Sequence, residues 1–152
     1  MTEQKNPVEA FFRNRFETFK SLSEEMGEEK ALKKMFEGYA EKVKKRMAPF
    51  IDNSTLAEGL TNAIPEFKKS GWDMAVVDIS NNGMDAALEI QNVCPVKEIG
   101  REFGYEKPCF LICDPDGPAI KTAFPDLKAE NLCRQDDGAC ICMLKFERKA
   151  KQ

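Results

Sequence analysis

The chain has 152 residues, of which 42% are hydrophobic and 32% charged, with a net charge of −3. Those totals suit one domain with its own core, and they exclude a disordered or membrane-embedded chain. The acidic balance gives no reason to expect nucleic-acid binding. No apolar run approaches a membrane span, and no basic-then-apolar leader opens the chain, so the cytoplasm is the default location.

In chain order, Asn6-Pro7-Val8-Glu9 reads as a helix start. Asn6 caps, Pro7 suits the first helical position and Glu9 completes a box-like pattern. Val8, Phe12, Phe16, Phe19 and Leu22 recur at intervals of three or four, and Gly27 supplies a stop. A second helix is expected from about Glu28 to Met47. Leu32, Met35, Phe36, Tyr39, Val43 and Met47 form its stripe, and Pro49 ends it. A third begins near Thr55 with Glu58 in capping-box position. It carries Leu56, Leu60, Ile64 and Phe67, and Pro65 bends or shortens it. The basic run Lys42 to Arg46 reads as a solvated helix face rather than a phosphate-binding patch.

After Gly71 the pattern turns β-like. Asp73 to Ile79 is a strand, Asn82-Gly83 a hairpin turn and Asp85 to Gln91 the returning strand. Cys94-Pro95 opens a short helix through Phe103 that Gly104 closes. Residues 107–124 are ambiguous: an apolar run, then Asp-Pro-Asp-Gly-Pro, then a short helix from Pro118. Strands near 130–134 and 139–147 form a last hairpin around Gln135 to Gly138. The order predicts a single α+β domain over residues 1–152. N-terminal helices (1–70) precede two β-hairpins (71–148) that form a four-stranded antiparallel sheet with helices packed against it.

The chain contains no histidine, which removes Ser-His and Cys-His pairs. Metal ligands are limited to thiolate, carboxylate and backbone, and an acid or base must be Asp, Glu, Lys, Tyr or Cys. The six cysteines (94, 109, 113, 133, 140 and 142) all lie in the second half, where a reducing compartment keeps them as thiols. In DDGACICMLKFE, strand alternation puts Cys140, Cys142, Leu144 and Phe146 on one face, either as plain core or as one wall of a thiol site. Cys94 stands at a helix N-terminus, where a thiolate is favoured, or serves as a buried cap contact. Cys109 and Cys113 share a face on either a helix or a strand. Asp114 and Asp116 read as caps for the following helix, or as a carboxylate base beside the thiols. Asp136-Asp137-Gly138 reads as a solvated turn, and Trp72 as a core plug.

Several of these features together resemble the L-2-amino-thiazoline-4-carboxylate hydrolase-like family. They are Cys94-Pro95 opening a helix closed by Gly104, an apolar stretch ending in Cys113 with aspartate beside it, and FPDLKAENL (Phe124 to Leu132). Gly138, Cys142 and Leu144 then follow as Gly-x-x-x-Cys-x-Leu. The resemblance covers residues 70–147 well and the helical front in outline. It places the family's cysteines on Cys94, Cys113 and Cys142, and its aspartate on Asp114 or Asp116. The chain departs from the pattern where Asp-Pro-Asp-Gly-Pro interrupts a continuous helix, and in the added Cys109, Cys133 and Cys140. The resemblance implies a hydrolase acting on a C–N bond of a small molecule, adding water at the carbon between sulfur and nitrogen. The layout also resembles 4-vinyl-reductase-type small-molecule-binding domains, in which cysteines near the final hairpin hold zinc.

Two functional readings therefore stand beside a plain thiol core. One is a hydrolase using Cys94, Cys113, Cys142 and Asp114 or Asp116. The other is a sensory module holding zinc or an iron–sulfur cluster on Cys94, Cys113, Cys140 and Cys142. Either takes a small-molecule or metal partner, with no nucleic acid and no membrane, and a homodimer is allowed.

Overall fold

A computed structural model describes residues 6–151. Four helices lead: α1 (Pro7–Met26), α2 (Glu28–Met35), α3 (Tyr39–Ile51) and α4 (Leu56–Lys69). Strands β1 (Asp73–Asp78) and β2 (Met84–Val93) follow. Next come the short helices α5 (Lys97–Glu102) and α6 (Cys109–Ile112), and then α7 (Asp116–Ala123). Strands β3 (Lys128–Cys133) and β4 (Cys142–Lys149) close the chain, joined by a short 3-10 turn at Gln135–Asp137. The expected α+β architecture is present: one antiparallel sheet in the order β1-β2-β4-β3, with helices packed against it.

The helix starts follow their caps. Asn6 accepts the Val8 N–H and Thr55 accepts the Glu58 N–H. The Glu9 carboxylate pairs with Arg13 one turn on. The single helix expected over residues 28–47 is two, because Gly38 takes a left-handed conformation (φ 66°) that breaks the ladder. Neither proline ends its helix: α3 runs past Pro49 to Ile51, and α4 runs past Pro65 to Lys69. Both prolines are exposed, so water can satisfy the carbonyls they leave without a donor. Asn82 and Gly83 both have positive φ (51° and 75°), as a tight hairpin with right-handed strand twist demands.

Two apolar clusters hold the elements. One joins α3, α4 and α7 to the sheet through Val43, Leu56, Leu60, Ala87, Ile120 and Phe146. The other joins α1 and α2 to α5 and α6. There the fully buried Phe16 stacks on Phe103 (5.5 Å) and Tyr105 (5.8 Å). Trp72 is half-buried against Phe12 at the edge of this second cluster, as a plug rather than a free platform. A buried ion pair ties the helical front to the sheet. Asp85 on β2 accepts the Leu56 N–H at the start of α4 and the Arg148 Nε of β4 (2.9 Å). Arg148 also donates to the carbonyls of Ile51 and Asn53, at the end of α3.

Candidate functional site

β2 and β4 run antiparallel with Gln91 opposite Cys142, so the end of β2 and the start of β4 lie side by side. Cys94 follows β2 directly, and Cys142 opens β4. The chain then passes through α5 to α6, whose first residue is Cys109 and whose C-terminal flank is Cys113. Gly100 permits that return. A Cβ there would stand 2.3 Å from the Pro108 Cβ, so only glycine allows α5 to pack directly on the residue before Cys109.

The outcome is one small cavity, about 10 Å³, lined by Cys94, Cys109, Cys113 and Cys142 together with Lys97, Gln135 and Asp136. Val96, Pro108 and Ile112 complete the wall. Cys94, Cys113 and Cys142 all line this one cavity. Cys140 does not join them; it is exposed and precedes the first residue of β4, so strand alternation never applies to it. Cys109 lines the cavity in its place, and Cys133 donates toward the Ile141 carbonyl within its own hairpin.

The aspartates also differ from expectation. Neither Asp114 nor Asp116 caps α7, which has no side-chain cap. Asp114 is exposed and paired with Arg134. Asp116 accepts the Tyr39 hydroxyl (2.6 Å) and faces Arg46 (3.3 Å), away from the cavity lining. The carboxylate beside the thiols is that of Asp136, half-buried in what reads as a solvated turn, and its Oδ2 accepts the Cys109 N–H at 3.3 Å. The Asp-Asp-Gly triplet signals a turn in the sequence but carries no sign of the helix packed beneath it.

Burial pushes the Cys94 thiol up, although the backbone N–H groups of Val96 and Lys97 pull the other way. Burial likewise raises Cys142, against the Gln135 N–H that donates to its sulfur at 3.3 Å. Cys109 is raised strongly by its contact with the Cys113 thiol, then by burial and by Asp136. At Cys94, Cys109 and Cys142 these surroundings favour the protonated thiol. Among the described residues, no three Cys, Asp or Glu side chains converge as placed on a point where they could hold an ion. A larger hollow, about 200 Å³, is lined by Asn6, Val8, Glu9, Phe12, Ser70, Gly71, Pro95 and Ile99 and carries no thiol.

No protein-family model, curated protein or solved structure matches the chain. Among the described residues, no helix is long and apolar enough to cross a membrane.

The sheet carries a second polar feature that the sequence does not announce. Asp85, Ala87, Glu89 and Gln91 alternate onto the buried face of β2. Burial raises the Glu89 carboxyl to about 7, with Gln91 hydrogen-bonded to it and Asp116 adding repulsion. Between 4.5 and 7 the unfolded chain gives up a proton that the folded chain keeps. Stability therefore falls as pH rises through that window and stays lowered above it, by up to about 3 kcal/mol. Glu89→Gln keeps an acceptor for Gln91 and removes the penalty. Urea denaturation at pH 5 and pH 8 is expected to show a variant more stable than wild type at pH 8 and close to it at pH 5. Equal pH dependence in the two proteins would contradict this.

Proposed function

We propose that the chain is a non-enzymatic binding module whose Cys94–Cys109–Cys113–Cys142 pocket takes one thiophilic metal ion, with zinc(II) the first candidate. The observation that carries the reading is that four cysteines, from three separate chain segments, line one cavity the size of a single water, although as placed no three of them could yet hold an ion. That size suits a lone ion rather than an iron–sulfur cluster or a ring-shaped substrate, which needs hundreds of Å³. The donor set fits as well, since soft sulfur ligands select zinc and copper(I). Coordination would require the thiols to deprotonate and turn toward the cavity, so affinity rises with pH and binding releases protons. A bound zinc ion would supply a closed structural centre joining β2, α6 and β4. The test is metal analysis of protein purified without oxygen or chelator. About one zinc per chain, with the pocket cysteines shielded from alkylation, is expected; metal-free protein that also fails to take up added zinc would refute it.

A second reading, the small-molecule hydrolase implied by the family resemblance, is favoured by one observation. At the start of α5 the backbone N–H groups of Val96 and Lys97 act on the Cys94 sulfur in the direction a thiolate nucleophile needs, against the burial that raises the thiol. Cys94, Cys113 and Cys142 would then act on a C–N bond. Asp136 would replace Asp114 or Asp116 as the carboxylate beside them. Incubation with 2-amino-thiazoline-4-carboxylate tests it: turnover lost in Cys94→Ser supports the reading, and no turnover by wild type dismisses it.

A further inference from the structure

We infer that Gln135 positions the thiol pocket by locking the segment 134–140 against the end of β2. Its backbone N–H donates to the Cys142 sulfur (3.3 Å). Its side-chain amide donates to the carbonyls of Gln91 (3.2 Å) and Asn92 (3.0 Å). Pairing of β2 with β4 stops at Gln91 and Cys142 while β1 stays paired to β2 as far as Val93, so the Gln135 amide engages β2 where β4 no longer does. Two residues beyond Asn92 comes Cys94, and the residue after Gln135 is Asp136, which accepts the Cys109 N–H. Gln135 thus joins the segments carrying Cys94 and Cys142, by its side chain and its backbone N–H respectively, and holds the neighbouring Asp136 that accepts the Cys109 N–H.

The neighbouring ties are weaker anchors. Lys107–Asp137 (2.8 Å) is largely exposed, and the Asp114 carboxylate paired with Arg134 is also exposed. Gln135 is half-buried and lines the cavity itself. Gln135 acts through the segments it holds, and its role rests on the four thiols forming one site, whatever fills it.

The test uses metal-free protein throughout, so failure of metal binding in wild type leaves its outcome unaffected. Rates of alkylation by iodoacetamide are read cysteine by cysteine by mass spectrometry in wild type, Gln135→Ala and Gln135→Met. Methionine preserves the side chain's length but removes the amide donors. Both variants are expected to expose Cys94 and Cys142 about tenfold faster, the effect of losing two net hydrogen bonds. Cys140, exposed and outside the pocket, should keep its wild-type rate. Wild-type protection in Gln135→Met would show that bulk rather than the amide matters, and would overturn the inference. So would equal acceleration at every cysteine, which marks general unfolding.

Discussion

Arg148→Ala is expected to destabilise the fold by about 3–5 kcal/mol, read as a lowered urea midpoint, because it leaves a buried carboxylate without its partner. The Asp85 side chain is only 5% exposed and that of Arg148 only 10%. Arg148 spreads three donors over Asp85, Ile51 and Asn53, so its loss also orphans the Ile51 carbonyl at the end of α3, whereas the Asn53 carbonyl keeps the Lys151 ammonium (2.7 Å). Arg148→Lys fares little better, since one ammonium cannot reproduce the planar fork. The Asp85→Ala/Arg148→Ala double variant should lose clearly less than the two single losses combined, because each single change strands the other group. Single losses below about 1 kcal/mol, or strict additivity, would contradict this account of how the helical front is attached.

Much of the frame is legible from local rules because local chemistry sets it. Asn82-Gly83 dictates a turn that few other pairs accept, and Asn6 and Thr55 mark their helices by capping. Rules that describe an isolated helix fail where solvent intervenes, as at Pro49, the expected end of α3. The site divides along the same line. Cys142 faces inward because β4 alternates, and that rule reaches Leu144 and Phe146. Applied to Cys140 it fails, because residues 138–141 are not strand. Cys109 enters the pocket through the close approach of Gly100 to Pro108, a tertiary contact with no local signature. Asp136 and Gln135 owe their roles to carbonyls and N–H groups far away in sequence. Glu89 follows strand alternation faithfully, yet a carboxyl inside a core is the residue type that alternation would place outside.

The second large effect concerns the thiols. Replacing any one of Cys94, Cys109, Cys113 or Cys142 by serine should weaken zinc binding by more than about a hundredfold, since loss of a mere outer-shell partner already costs 10–100-fold. Cys140→Ser and Cys133→Ser should bind as wild type does, because neither sulfur lines the cavity. Affinity should climb with pH, because burial favours the protonated forms of Cys94 and Cys142 and the ion must displace those protons. Zinc should also raise the thermal midpoint of wild type, in proportion to the logarithm of its free concentration, and leave that of Cys142→Ser unmoved. A Cys142→Ser variant that bound zinc as tightly as wild type would remove Cys142 from the ligand set.

The claim beneath all of this is that four thiols distant in sequence act together on one ion. Anaerobic titration with cadmium, followed by its thiolate charge-transfer absorption, tests it most directly. The account predicts a band that saturates at one ion per chain, persists in Cys140→Ser and collapses in Cys142→Ser. A wild-type chain that develops no such band, or a band indifferent to Cys142, would contradict it.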